Sequence, residues 1–171
     1  TRVETCKALQ QLGDPRGLQR LRLMIRDEAA EVRDAAFSAL AGLEEGSPLR
    51  AAEAGLAAEH EDVRRRGLQL LIQTIKKGLA GDGLEAGTRL LERALNDPFA
   101  SVRGEAFKAG LSLKLQGSVP DTLAFLARSL HPDVRKDVLT EIMAQIQQAW
   151  AWKLLLGMLG DPDAALRFFA S

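Results

Sequence analysis

Tyrosine is absent from the chain, cysteine occurs once and histidine twice. One cysteine excludes an internal disulfide and a cysteine-based zinc site. With two scattered histidines beside it, no nucleophile–base pair is readily built. No HExxH, no GxSxG and no glycine-rich loop followed by Lys-Ser or Lys-Thr is present. Catalytic residues, a metal and a cofactor are therefore not expected. No apolar run approaches the ~20 residues that a membrane-spanning helix needs, and no signal peptide is visible. Neither sign of charge is in excess, with 23 Lys plus Arg against 23 Asp plus Glu. That balance disfavours nucleic acid and anionic membrane as default partners. The lone thiol fits a reducing, cytoplasmic setting.

What the chain does contain is alanine, leucine and a repeat. Hydrophobic residues make up 46% and charged residues 27% of 171 positions, a globular composition of one-domain length. In "EVRDAAFSALAGL", Val32 is followed by apolar or small residues at +3, +4, +7, +8 and +11, the spacing of an amphipathic helix. Similar pairs stand at Val63-Arg64, Val102-Arg103, Val134-Arg135 and Leu166-Arg167, and Thr1-Arg2 falls in the same register. The six heads lie at 1, 32, 63, 102, 134 and 166, at intervals of 31, 31, 39, 32 and 32. Fixed self-similarity of this period marks a helical solenoid. Between these helices, others are expected over 16–26, 48–59, 84–96, 121–130 and 149–159. The punctuators "GDP" (13–15), "GSP" (46–48), "NDP" (96–98), "HPD" (131–133) and "GDPD" (160–163) carry cap and first-turn residues. Each unit thus reads as two helices that hide their apolar sides only by stacking on the next pair.

The recurrent D-x-x-V-R-x-x-A-x-x-A-L, carried by "EVRDAAFSAL", "DVRRRGLQLL", "SVRGEAFKAG" and "DVRKDVLTEI", resembles the HEAT-repeat superfamily. It is most similar to the short bacterial HEAT-like repeats also found in phycobilisome bilin lyases. The likeness covers nearly the whole chain and departs at Gly110, where Leu is usual, and at Glu141, where a small residue is usual. It implies an all-α fold, an α-solenoid of antiparallel helix pairs stacked into a right-handed superhelix, with the second helices lining the concave side. Residues 1–171 then form a single HEAT-like repeat domain of about five to six units, partial at both ends. The apolar "LRFFAS" at its close suggests a piece of a longer array, or ends that pack on something. A HEAT-like array serves many tasks. The leading expectation is a non-catalytic protein–protein scaffold whose partner is another protein or another domain of the same chain. Resemblance also raises a nucleic-acid-binding module, as in HEAT-like DNA glycosylases, and a bilin-lyase-like chromophore-handling factor.

The arginine at +1 falls between the mostly apolar columns at +5 and +8, inside the buried arc. A buried guanidinium requires acceptors. Asp27, Asp62, Asp97, Asp133 and Asp161, together with carbonyls of the previous unit, are the candidates. Arg2, Arg33, Arg64, Arg103, Arg135 and Arg167 read as a structural ladder; the alternative is a row of arginines for phosphate or carboxylate ligands. Cys6 shares a column with Phe37 and Phe107 and reads as a core residue. His60 and His131 read as turn residues. Residues 75–87, "IKKGLAGDGLEAG", account for the one long interval, and their glycines suggest a flexible surface loop. Trp150 and Trp152 cannot share a helix face, so one reads as core and the other as an anchor for a partner, with Trp150 taken as the candidate. The solvent columns should be +2, +3 and +6. They mix both signs, with a local basic spot at Arg64–Arg66 continued by Lys76 and Lys77. Arg65, Arg66, Gln69, Lys108 and Lys136 are the other candidate partner contacts.

Overall fold

The computed structural model describes residues 1–44 and 47–171. Among them are eleven α-helices and no strand: α1 (Arg2–Leu12), α2 (Gly17–Met24), α3 (Ala30–Leu43), α4 (Pro48–Leu56), α5 (Glu61–Lys77), α6 (Asp82–Leu95), α7 (Ala100–Leu113), α8 (Val119–Leu126), α9 (Pro132–Ala144), α10 (Ala149–Met158) and α11 (Ala164–Ala170). The all-α class and the positions of the alternating helices are those expected from the periodicity. Gly46, in the "GSP" punctuator, lies outside the described residues.

Local chemistry explains the boundaries. The Thr1 hydroxyl accepts from the Glu4 amide and the Glu4 carboxylate returns to the Thr1 nitrogen, closing a capping box at α1. Gly13 ends that helix at φ 65°, a left-handed conformation that suits glycine. Ser118 caps α8 and Asp163 caps α11 through side-chain oxygens. Ahead of α3, α7 and α11 the same device recurs. The Oδ1 of Asp27, Asp97 and Asp161 accepts from the backbone N–H two residues on, at 3.0, 3.0 and 2.8 Å. This Asx turn sets the chain direction into each helix.

The chain divides into two compact units, Thr1–Ala94 and Leu95–Ser171. In the first, α1 packs on α3 and α3 on α5, with α2 against α3 and α4 against α5. In the second, α7 packs on α9 and α9 on α11, with α8 against α7, α9 and α10. Five of the six head residues face the interior: Val32, Val63, Val102, Val134 and Leu166 are 5, 1, 0, 1 and 3% exposed, while Thr1 is exposed. Around Val32 and Val63 the first core gathers Cys6, Leu21, Met24, Ile25, Ala36, Phe37 and Leu40. Cys6 is fully buried, its Sγ lies 3.8 Å from the Met24 Sδ, and burial pushes its thiol pKa up.

The glycine-rich stretch at 75–87 is not a long loop. Only Gly78–Gly81 connect α5 to α6, with φ 101° at Gly78 and 53° at Gly81. The rest of the extra length is helix: α5 has 17 residues where α3 and α7 have 14, and α6 has 14 where α4 has 9. Gly87 is buried in α6, where a Cβ would stand 3.1 Å from Leu79 and 3.4 Å from Ile75. It is a packing glycine, which composition alone did not distinguish from a flexible one. Among the described residues, no helix is long and apolar enough to cross a membrane, and no three potential ligands group as a metal site would require.

Candidate functional site

Three of the recurring arginines, Arg33, Arg103 and Arg135, share one geometry. Arg33 places Nη1 on the carbonyls of Asp27 and Glu28, both at 2.8 Å, and aims Nε and Nη2 at the Asp62 carboxylate, 2.9 and 2.7 Å from Oδ2. Arg103 binds the carbonyls of Asp97 and Pro98 and the Asp133 carboxylate in the same way, and Arg135 those of Ser129 and Leu130 and Asp161. Arg167 repeats the carbonyl half on Asp161 and Pro162 at 2.6 and 3.1 Å. Arg2 reaches Asp27 by Nη1 at 2.8 Å. The carbonyls come from the turn leading into the arginine's own helix, not from the previous unit. Burial also varies along the column: Arg103 and Arg135 are buried, Arg33 and Arg64 half-buried, Arg2 and Arg167 exposed. In Arg33, Arg103 and Arg135 the donors are already engaged, so a phosphate ligand would first have to displace an aspartate.

The acceptor carboxyls carry a pH dependence. Burial alone would raise the pKa of Asp62, Asp133 and Asp161, but hydrogen bonds from the facing arginine and from a backbone N–H, together with the arginine charge, carry each below the ordinary aspartate range. Their folded forms bind protons less readily than their unfolded forms. The stabilisation is therefore complete above the ordinary aspartate pKa and drains away as the pH falls through the lowered values. Asp137 acts in the opposite sense, raised first by desolvation and then by the charge of Asp133. Urea unfolding at pH 7, 5 and 3 is expected to show a free energy held from 7 to 5 and falling below about pH 4. The fall should shrink in Arg103→Met. A flat profile down to pH 3 would contradict it.

The exposed columns of the first unit converge on a groove of about 590 Å³ that crosses three helices. Val3, Lys7 and Gln10 enter it from α1, Ala30, Glu31, Asp34, Ala35 and Ser38 from α3, and Asp62, Val63 and Arg66 from α5. The columns at +2, +3 and +6 account for Val3, Lys7, Asp34, Ala35, Ser38 and Arg66. Gln10 at +9 and Glu31 at −1 were missed, although at ~100° per residue both fall within or beside the same arc. Arg66 is not a free contact. Its Nη1 pairs with Asp34, its Nη2 donates to the Ser38 hydroxyl at 3.2 Å, and its guanidinium lies 5.8 Å from the Phe37 ring centroid. Arg65 and Gln69 are exposed on α5 but do not line the groove.

In the second unit, Lys108 on α7 and Lys136 on α9 are exposed. The tryptophan assignment requires correction: Trp150 is half-buried and Trp152 is the outward one, 57% exposed. Helix α10 buries Ala151, Leu155 and Met158, and Trp152 points away with Leu156 and Leu159. A cleft of about 620 Å³ lies in this unit, lined by Leu123, Ala127, Ile142, Leu154 and Met158 and by the exposed Arg128 and Lys153. His60 and His131 are the cap residues of α5 and α9. Comparison with known protein families and with characterised proteins finds no match to this chain.

Proposed function

We propose that the chain is a non-catalytic interaction scaffold: an α-solenoid of antiparallel helix pairs, wound into a right-handed superhelix of the HEAT-repeat kind. It works in a reducing cytoplasmic setting and receives a protein partner, or another domain of its own chain, on its exposed helical surface. The observation that carries this reading is the groove over α1, α3 and α5. Equivalent positions of successive repeats supply its walls, as an array presenting one continuous surface requires. Arg33, Arg103 and Arg135 and their aspartates are spent on joining helices, which leaves the variable columns for recognition. Lys7 and Arg66 face Glu31, Asp34 and Asp62 there. A phosphate backbone would meet three carboxylates in that groove, which disfavours the nucleic-acid alternative. The bilin-handling alternative rests on repeat likeness alone.

Site-specific photocrosslinking in the source cells tests the proposal. A photoreactive residue at Lys7 or Ser38 is expected to give one discrete protein adduct, lost on reversing Glu31 in charge. The same residue at Gln19 or Arg20, exposed on α2, should not give it. Equal labelling from both surfaces, or none from the groove, would overturn the assignment.

A further inference from the structure

The second unit has a hollow where the repeat elsewhere places a large aliphatic side chain. Seven residues ahead of each head from the second onward stand Ile25, Leu56, Leu95 and Leu159, but in α8 the residue is Ala127. Ile25, Leu56 and Leu95 are 3–4% exposed, whereas Ala127 is half-buried and lines the 620 Å³ cleft. The facing wall is small as well. Gly157 of α10 lines the cleft, and a Cβ there would meet nothing within 4 Å. Both walls are neighbouring helices of the same unit: α10 turns Lys153, Leu154 and Gly157 toward α8, and Leu156 and Leu159 are not part of the lining.

The polar side chains inside are already committed. The Ser129 hydroxyl bonds the Leu95 carbonyl and the Asn96 side chain, and Arg135 and Asp161 hold each other. Two cations border the cleft, Arg128 from α8 and Lys153 from α10. Both are exposed, and neither side chain forms a hydrogen bond or ion pair among the described residues. The lining therefore offers hydrocarbon contact and two free positive charges.

We propose that this cleft binds a fatty acid, its chain against Leu123, Ile142, Leu154 and Met158 and its carboxylate between Arg128 and Lys153. A guanidinium matches a planar carboxylate in geometry and charge, and an acyl chain asks for no hydrogen-bonding partner. A peptide would bring main-chain N–H groups for which the lining has no free side-chain acceptor. The volume falls within the ~300–1,000 Å³ of small-ligand sites. The inference is independent of the groove in the first unit, and its test uses different residues.

Laurate is the probe, titrated into the full chain below its micelle-forming concentration and followed by methyl NMR. The methyl signals of Ile142 and Met158 are expected to shift. Acetate should leave them in place, and dodecyltrimethylammonium, with a chain of similar length and the opposite charge, should bind at least tenfold more weakly. Replacing Arg128 and Lys153 together with Gln should lower laurate affinity at least tenfold. Ala127→Leu restores the residue type of the other repeats and fills the cleft, so it should abolish binding while the thermal unfolding transition is kept; Gly157→Leu is the second filling variant, should the first not fold. No shift, shifts confined to other parts of the chain, equal affinity for the cationic amphiphile, or undiminished binding in a folded cleft-filled variant would overturn the proposal. Tighter binding of dodecyl phosphate than of laurate would overturn the carboxylate assignment.

Discussion

Replacing Arg135 with alanine is expected to cost about 3–5 kcal/mol, the range for breaking one side of a buried ion pair. The side chain and its partner Asp161 are both almost fully buried, at 8 and 5% exposure. The Arg135 Nε donates to Oδ2 at 2.8 Å and its Nη2 to Oδ1 at 3.1 Å, while its Nη1 holds the carbonyls of Ser129 and Leu130. Truncation leaves a desolvated carboxylate and two carbonyls with a donor removed, and the penalty comes from these orphans more than from lost Coulomb energy. Asp161 is joined further: Oδ1 accepts from the Asp163 amide and its carbonyl from Arg167. Asp161→Asn should therefore cost less than Asp161→Ala, because the amide can keep the turn. Burial predicts an order across the column. Arg135→Ala should exceed Arg33→Ala, whose Asp62 is 44% exposed, and Arg2→Ala, itself 65% exposed, should cost ~1 kcal/mol or less. Urea unfolding of the three arginine variants measures this, and equal costs for Arg2 and Arg135 would show that burial does not set the effect.

The column that holds these arginines was legible because the helical period fixes which positions turn inward. Val32, Arg33 and their copies needed no structure to be placed on one arc. Their acceptors could be narrowed to five aspartates, but the source of the carbonyls could not be read, since main-chain atoms leave no trace in residue identity. Two other readings failed for definable reasons. In α10 hydropathy cannot choose a face, because Trp152, Leu156 and Leu159 are apolar and exposed while Ala151, Leu155 and Met158 are apolar and buried. In residues 75–87 glycine served two ends, backbone freedom at Gly78 and Gly81 and close packing at Gly87. Arg66 was assigned to a partner because its column is outward. That its neighbour on α3 is Asp34 follows from comparing column +3 of one repeat with column +2 of the preceding one, a comparison between stacked helices and not along a single helix.

Gly67→Ala should be the most disruptive single-methyl change, at about 3 kcal/mol, the upper part of the usual range for overpacking. Helices α4 and α5 cross with Gly55 against Gly67. A Cβ on Gly67 would stand 2.7 Å from the Leu56 nitrogen, 2.8 Å from the Gly55 carbonyl carbon and 2.9 Å from the Ala52 oxygen. All three are backbone atoms, so no side chain can swing aside and the helices must part. Parting them opens space beside Phe37, whose Cε2 is itself 2.7 Å from the Cβ position on Gly55. Interior packing forfeits dispersion quickly as such gaps form. Helix propensity pulls the other way, since alanine is the better helix former by roughly 1 kcal/mol, and the figure above is net of that gain. Gly104 supplies the control. It lies in α7 at a half-exposed position where a Cβ meets nothing within 4 Å. Gly104→Ala should stabilise by about 0.4–1 kcal/mol through the unfolded chain alone. Thermal and urea unfolding of the two variants should thus move in opposite directions. A Gly67→Ala protein as stable as the parent would mean that α4 and α5 do not approach at their backbones.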